Sequence, residues 1–144
     1  FVTKDEHERI WKTADHYHVK DAIIIRPGNR NEIPALISLC DYSIFFILPS
    51  YSKRASSPTK QGEIMAMGKP VICNSQVGDT DYIINKYNAG YIVNDVYSMN
   101  FSEDVNFALI KKYNTEQIIA GAKDYFSLEN GVQRYAEIYK AVLN

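Results

Sequence analysis

The 144-residue chain has two cysteines, Cys40 and Cys73, both in apolar surroundings and neither with a second Cys or His at metal-ligand spacing. That excludes a disulfide framework and reads both thiols as small core residues. Histidine is scarce too. His7, His16 and His18 fall on one N-terminal helical pattern and its end, and His16 and His18 are two residues apart, so they cannot share a helix face as zinc ligands. No long hydrophobic run is present: the stretch from Tyr42 to Ser52 is far short of the ~20 residues of a spanning helix, and no signal peptide opens the sequence. An excess of one charge is missing as well. Sixteen Lys and Arg against seventeen Asp and Glu give a net charge of −1, without the basic surplus that sequence-independent nucleic-acid binding needs. There is no Gly-rich dinucleotide loop, no Walker loop and no Ser/His/Asp or Cys/His spacing for nucleophilic catalysis. The balance of 46% hydrophobic and 23% charged residues instead fits a globular chain of one domain, expected to be soluble and cytoplasmic.

What is present is an alternation of short apolar runs and helical periods. Phe1–Thr3 looks like the tail of a strand, and positions 5–17 place Ile10, Trp11 and Ala14 at helical spacing. Ala22–Ile25 is a continuous apolar run, the pattern of a strand buried on both faces. Asn31–Cys40 puts Ile33, Leu36, Ile37 and Cys40 on one helical stripe. Further strands are expected at Tyr42–Leu48, Pro70–Asn74 and Gly90–Val93, with helices at 58–68 and 79–86 between them. Ser57 is a natural cap for the helix at 58–68, Pro58 suits its first position and Gly68 its exit. After Asp95 only helices follow, near 101–112, 115–126 and 130–143. Val132, Tyr135, Tyr139 and Val142 in the last suggest one buried face. Short buried strands joined by helices require parallel pairing. The expected class is therefore α/β, a Rossmann-like doubly wound parallel sheet closed by C-terminal helices, with ligands beyond the carboxyl ends of its strands.

The chemistry-bearing residues cluster at those ends. Between positions 51 and 70, Lys53, Arg54, Lys60 and Lys69 face one acid, Glu63. Cations beside a helix start make an anion site, although a solvated basic loop has the same composition. Glu63, one turn inside that helix, could accept both hydroxyls of a ribose or be an ordinary helix charge. Asn74 and the segment Gly78–Asp81 read either as ligand contacts or as a strand end and a helix cap. Arg26 and Arg30 flank a Pro-Gly-Asn turn.

The segment from Ser56 to Ile72, with its core Glu63-Ile-Met-Ala-Met-Gly-Lys-Pro-Val-Ile72, resembles the nucleotide-sugar signature of GT-B glycosyltransferases, in the C-terminal domain of the family-4-like class called glycosyl transferases group 1. Val77-Gly-Asp-Thr-Asp-Tyr-Ile-Ile84, Ala89-Gly-Tyr-Ile-Val93 and the stretch from Phe126 to Tyr139 are similar to further segments of that class. The resemblance implies that Glu63 is the second Glu of a pair separated by seven residues and holds ribose hydroxyls. The first would fall at position 55, where Ala55 stands, so a carboxylate expected near the transferred sugar is replaced. It implies that Thr59 and Lys60, with Ser57, Pro58 and Arg54 around them, lie against the donor diphosphate, and that Arg26 and Pro27 meet the nucleobase.

Taken further, the resemblance implies a donor-binding domain of a glycosyltransferase that moves a sugar from a nucleoside diphosphate donor to an acceptor, in cell-surface polysaccharide or glycolipid synthesis, without a metal or other cofactor. Residues 1–144 would then be one nucleotide-sugar-binding domain, lacking its first strand-helix unit and the N-terminal acceptor domain, and inactive alone. The parent protein would be cytoplasmic, with peripheral association at the inner membrane face. Two rival readings stand beside this one: a catalytically silent binding or assembly domain, motivated by Ala55, and a receiver-like signalling domain, motivated by the Lys69-Pro70 dipeptide.

Overall fold

The computed structural model describes residues 1–3, 7–97 and 101–143. They divide into two compact units, Phe1–Leu39 and Cys40–Asn144.

The first unit holds helix α1 (Glu8–His16), a 3-10 turn at Lys20–Ala22 and helix α2 (Ile33–Ser38). Its two extended segments meet in a single parallel bridge, Val2 to Arg26. The expected strand at Ala22–Ile25 does not form: Ala22 ends the 3-10 turn, and exposure alternates along the run, leaving Ile24 79% exposed. The helical stripe is only half covered as well, with Ile33, Leu36 and Ile37 half-buried and Cys40 exposed rather than in the core. Among the described residues of this unit Ala14 is the buried apolar side chain.

The second unit is a three-stranded parallel sheet in the order β1 (Ser43–Phe45), β2 (Val71–Asn74), β3 (Gly90–Val93). Ser43 pairs with Val71 and Phe45 with Cys73, while Val71 pairs with Gly90 and Asn74 with Val93. Helix α3 (Thr59–Ala66) joins β1 to β2 and α4 (Thr80–Tyr87) joins β2 to β3. Helices α5 (Phe101–Ile110), α6 (Thr115–Phe126) and α7 (Leu128–Leu143) follow. The sheet, with α3, α4 and α6, is the α/β architecture expected from the sequence.

Its interior is centred on β2, which is buried along its whole length. Val71, Ile72 and Cys73 are fully buried, as are Met65 of α3, Ile83 and Ile84 of α4 and Ile118 of α6, and Ile72 packs in one cluster with Val93 of β3 and Ala108 of α5. Burial, with Asp81 nearby, pushes the Cys73 thiol up to about 12, so it stays a protonated core side chain. Helix α6 clamps α3 and α4. A Cβ on Gly62 would come within 2.8 Å of the Phe126 ring and one on Gly121 within 2.5 Å of Tyr87, so both close approaches need glycine. The Tyr87 hydroxyl donates to the Asp124 carboxylate, which Lys86 also meets at 3.3 Å. These two partners, Tyr87 first, hold Asp124 below the usual carboxylate range.

Two apolar patterns expected to be buried are open. In β1 the exposure alternates, and Ile44 is 54% exposed. In α7 no residue is buried, and Val132, Tyr135, Tyr139 and Val142 all face outward with Leu128 and Leu143. The period of α7 creates an apolar face, but nothing among the described residues of this unit covers it.

Candidate functional site at the carboxyl ends of the strands

Between β1 and α3 the chain runs through a 3-10 turn at Ser52–Ala55, and between β2 and α4 through a turn at Val77–Asp79. These two segments touch. The Gly78 amide donates to the Lys53 carbonyl at 3.1 Å, and a Cβ on Gly78 would stand 1.7 Å from the Ser56 carbonyl oxygen. Gly78 has φ +50, which a side chain would also resist, so only glycine allows this approach. Gln76 takes a positive φ of 67 two residues earlier and is exposed. The starts of α3 and α4 are thereby held at one end of the sheet.

Asn74 makes this end rigid. Its side-chain oxygen accepts from the Ile47 amide at 2.8 Å, and its side-chain nitrogen donates to the carbonyls of Ile47 at 2.9 Å and Ser75 at 3.0 Å. The buried amide thus continues the β1–β2 ladder past the end of β1. Its sequence reading as a ligand contact gives way to this structural role, because its two N–H donors are spent inside the protein.

Helix α3 begins without a side-chain cap. Pro58, with an extended backbone, is the N-cap, Thr59 the first helical residue, and the Ser57 hydroxyl caps nothing. The expected positions are displaced by one, because the extended backbone of Pro58 leaves it outside the helix as the cap. The Gln61 amide bonds to the Pro58 carbonyl at 3.0 Å, and Thr59 and Lys60 before it are exposed. Lys53 and Arg54, in the 3-10 turn that precedes this start, and Lys60 in its first turn are exposed cations.

Thr59 and Glu63, one turn apart on one face of α3, line a groove of about 490 Å³ between α3 and α6. Its floor is apolar, with Gly62, Ala66, Ala122 and Phe126, and Lys123 stands on the α6 side. Glu63 is exposed and makes no ion pair among the described residues. Ser57, Pro58, Lys60 and Arg54 lie at the helix start and not along this groove. Arg26 and Pro27 belong to the first unit. With Gly28, Asn29 and Glu32 they surround a hollow of about 290 Å³, where Arg26 lies 4.0 Å from the Glu32 carboxylate.

Helix α4 also lacks a side-chain cap. Asp79 occupies the N-cap position, but its carboxylate accepts from the Tyr125 hydroxyl of α6 at 2.5 Å. This bond, followed by burial, raises the Tyr125 hydroxyl to about 12. Two polar residues in the first turns of these helices are in the interior: Gln61, which sequence reasoning passed over, and Thr80, which it read as a cap or a ligand contact. Gln61 and Thr80 are fully buried, and both side-chain polar atoms of Gln61 and the Thr80 hydroxyl oxygen have no hydrogen-bond partner among the described residues. The signal for Gln61 was available, since it shares the inward stripe with Ile64, Met65 and Gly68.

The family model for glycosyl transferases group 1 matches residues 3–125. The chain belongs to that family. Among solved structures, this group 1 chain is similar to the crystal structure of WaaG, a glycosyltransferase involved in lipopolysaccharide biosynthesis, with a TM-score of 0.60 at 20% sequence identity. The likeness covers 85% of the group 1 chain described here and 30% of the WaaG chain, and at that identity it speaks for the fold alone. Among curated proteins none matches. In the group 1 chain no helix among the described residues is long and apolar enough to cross a membrane.

Proposed function

We propose that this chain is the donor-binding part of a glycosyltransferase that moves a sugar from a nucleoside diphosphate sugar to an acceptor in cell-surface polysaccharide or glycolipid synthesis. One observation carries the reading: an uncapped helix start that follows the exposed Lys53 and Arg54 in the chain and carries the exposed Lys60 has, one turn along, an exposed carboxylate, Glu63, with no ion pair among the described residues, lining one groove with Thr59. Backbone amides and cations suit a diphosphate, and a carboxylate with two free oxygens suits a vicinal diol. Stabilising the leaving diphosphate by fixed dipoles and cations is electrostatic catalysis, and it needs no metal. Arg26 and Pro27 are assigned to the nucleobase by family likeness.

The parent protein supplies the rest in this reading: a first strand-helix unit, an acceptor domain and a catalytic group. These 144 residues then bind donor weakly and turn over nothing. Family likeness favours retention of configuration and peripheral association of the parent protein with the inner membrane face. Titration with uridine and guanosine diphosphates tests the reading: affinity lost in Glu63→Ala supports it, and affinity unchanged by that substitution refutes it.

Ala55 favours a second reading, a group 1 domain that keeps the fold as a silent binding or assembly surface. Absence of donor binding by the parent protein would select it. The Lys69-Pro70 dipeptide behind the receiver-like reading falls inside the group 1 match.

A further inference from the structure

The last two residues of α6 reach the two helices that carry the candidate site. The Phe126 ring lies so close to Gly62 of α3 that a Cβ there would come within 2.8 Å, and it floors the groove lined by Thr59 and Glu63. Tyr125 reaches the other helix, its hydroxyl donating to the Asp79 carboxylate at the start of α4 at 2.5 Å. The Tyr125 ring is itself surrounded, with the Arg134 guanidinium of α7 at 5.3 Å, Tyr82 of α4 at 6.2 Å and Phe126 edge-on at 5.2 Å.

Asp79 stands where an aspartate ordinarily caps a helix. Such a cap takes an extended backbone and turns its carboxylate onto the amides two or three residues ahead. Asp79 has φ −93 and ψ 9 and caps nothing. One of its carboxylate oxygens takes the Tyr125 hydroxyl, and the other is buried with no hydrogen-bond partner among the described residues. Capping is thus a competing arrangement that the tyrosine excludes. Reaching it would turn the backbone of Asp79, and Gly78 comes directly before it. The Gly78 amide bonds the Lys53 carbonyl at 3.1 Å, and Gly78 has no room for a Cβ against the Ser56 carbonyl, so this movement would unlatch the segment that leads into α3.

We propose that Tyr125 is a positioning residue of the donor site, holding Asp79 away from its own helix so that Gly78 stays latched to the Lys53–Ser56 segment. The inference rests on the donor reading of that segment and of Glu63. Tyr125 acts through Asp79 and Gly78, across 46 residues of chain.

Amide hydrogen exchange and diphosphate titration of the full chain test this with Tyr125→Phe, which removes the hydroxyl and keeps the ring. The Gly78 amide should lose at least about tenfold more protection than the Val71 amide, which lies in the central strand and follows the stability of the unit. Affinity for uridine or guanosine diphosphate should fall about tenfold. Asp79→Asn, whose side-chain oxygen still accepts from Tyr125, should keep both values within about threefold of wild type. Tyr87→Phe removes the other hydroxyl bond between α4 and α6, to Asp124, and serves as the control: it should lower protection at Gly78 and Val71 alike and leave diphosphate affinity unchanged. Gly78 protection that falls no further than that of Val71, a Tyr87→Phe chain that loosens Gly78 as Tyr125→Phe does, or diphosphate affinity untouched by Tyr125→Phe would each overturn the proposal. A wild-type chain that binds neither diphosphate, or binds them equally well after Glu63→Ala, refutes the donor reading and with it the donor role of Tyr125. Selective loss of protection at Gly78 would then still establish the latch between the two helix starts.

Discussion

β1 and β2 are hydrogen-bonded neighbours in one parallel sheet, and both read as apolar runs, yet every residue of β2 is buried while Ile44 in β1 is 54% exposed. The difference lies in position. β2 has a strand on each side, meets α3, and packs Ile72 in one cluster with Val93 and with Ala108 of α5. β1 has its described strand partner on one side only. An apolar run records an appetite for burial; the neighbours decide whether it is met. The same contrast separates α6, with Ile118, Gly121 and Ala122 buried, from α7, with no buried residue despite an equally clear apolar period.

The sharpest way to break the well-packed side is Gly78→Val. A β-branched residue at φ +50, with its Cβ against the Ser56 carbonyl, should cost about 4 kcal/mol or more and remove the cooperative denaturant transition of the second unit. Next in size, Ile72→Ala in β2 should destabilise by about 2–5 kcal/mol, whereas Ile44→Ala in β1 should cost under about 1 kcal/mol. Urea titrations of the pair measure the contrast directly, and equal losses would erase it. Gln61→Leu should change stability in the other direction. It replaces two buried atoms without partners by methyl groups of similar size, and a gain of about 1–3 kcal/mol at the urea midpoint is expected.

The smallest effect concerns the link between α4 and α6. Tyr125 titrates at about 12 in the folded chain against about 10 when unfolded. A raised value means that its contribution is fully present below about 10 and lost as pH rises through about 12. Tyr125→Phe should therefore cost about 1 kcal/mol near neutral pH, reduce by one phenol the late step of the phenolate absorbance titration, which Tyr113 shares, and make the alkaline stability loss shallower.

The elements of the second unit were largely legible. Gly68 stops α3 at φ +68, Gly90–Val93 is a strand as expected, and the start of α6 at Thr115 follows Asn114, whose side chain accepts from the Gln117 amide. Such local signals depend on backbone sterics and capping within a few residues. Legibility fell where burial by distant parts of the chain was assumed. Ile24 was read inward from a continuous apolar run and Cys40 and the α7 face from helical period, and neither pattern carries information about what lies opposite. The candidate site divides along the same line. The placement of Glu63 and Thr59 on one face was readable because both lie within one turn of a helix whose start was marked. The roles of Asn74, Asp79 and Gln61 depend on Ile47, Tyr125 and the sheet-facing side of α3, partners that sequence distance conceals.

By itself the sequence determined the alternation of strands and helices, the parallel α/β class and the family, because each follows from short-range periodicity, caps and a contiguous motif from Ser56 to Ile72. Only the tertiary structure decided which apolar faces are covered, that Gly78 brings the α3 and α4 starts together, and that the Asp79 carboxylate is bound by a tyrosine instead of capping its own helix. Those outcomes depend on which segments meet in space, and a linear pattern constrains the appetite of each segment without fixing its partner.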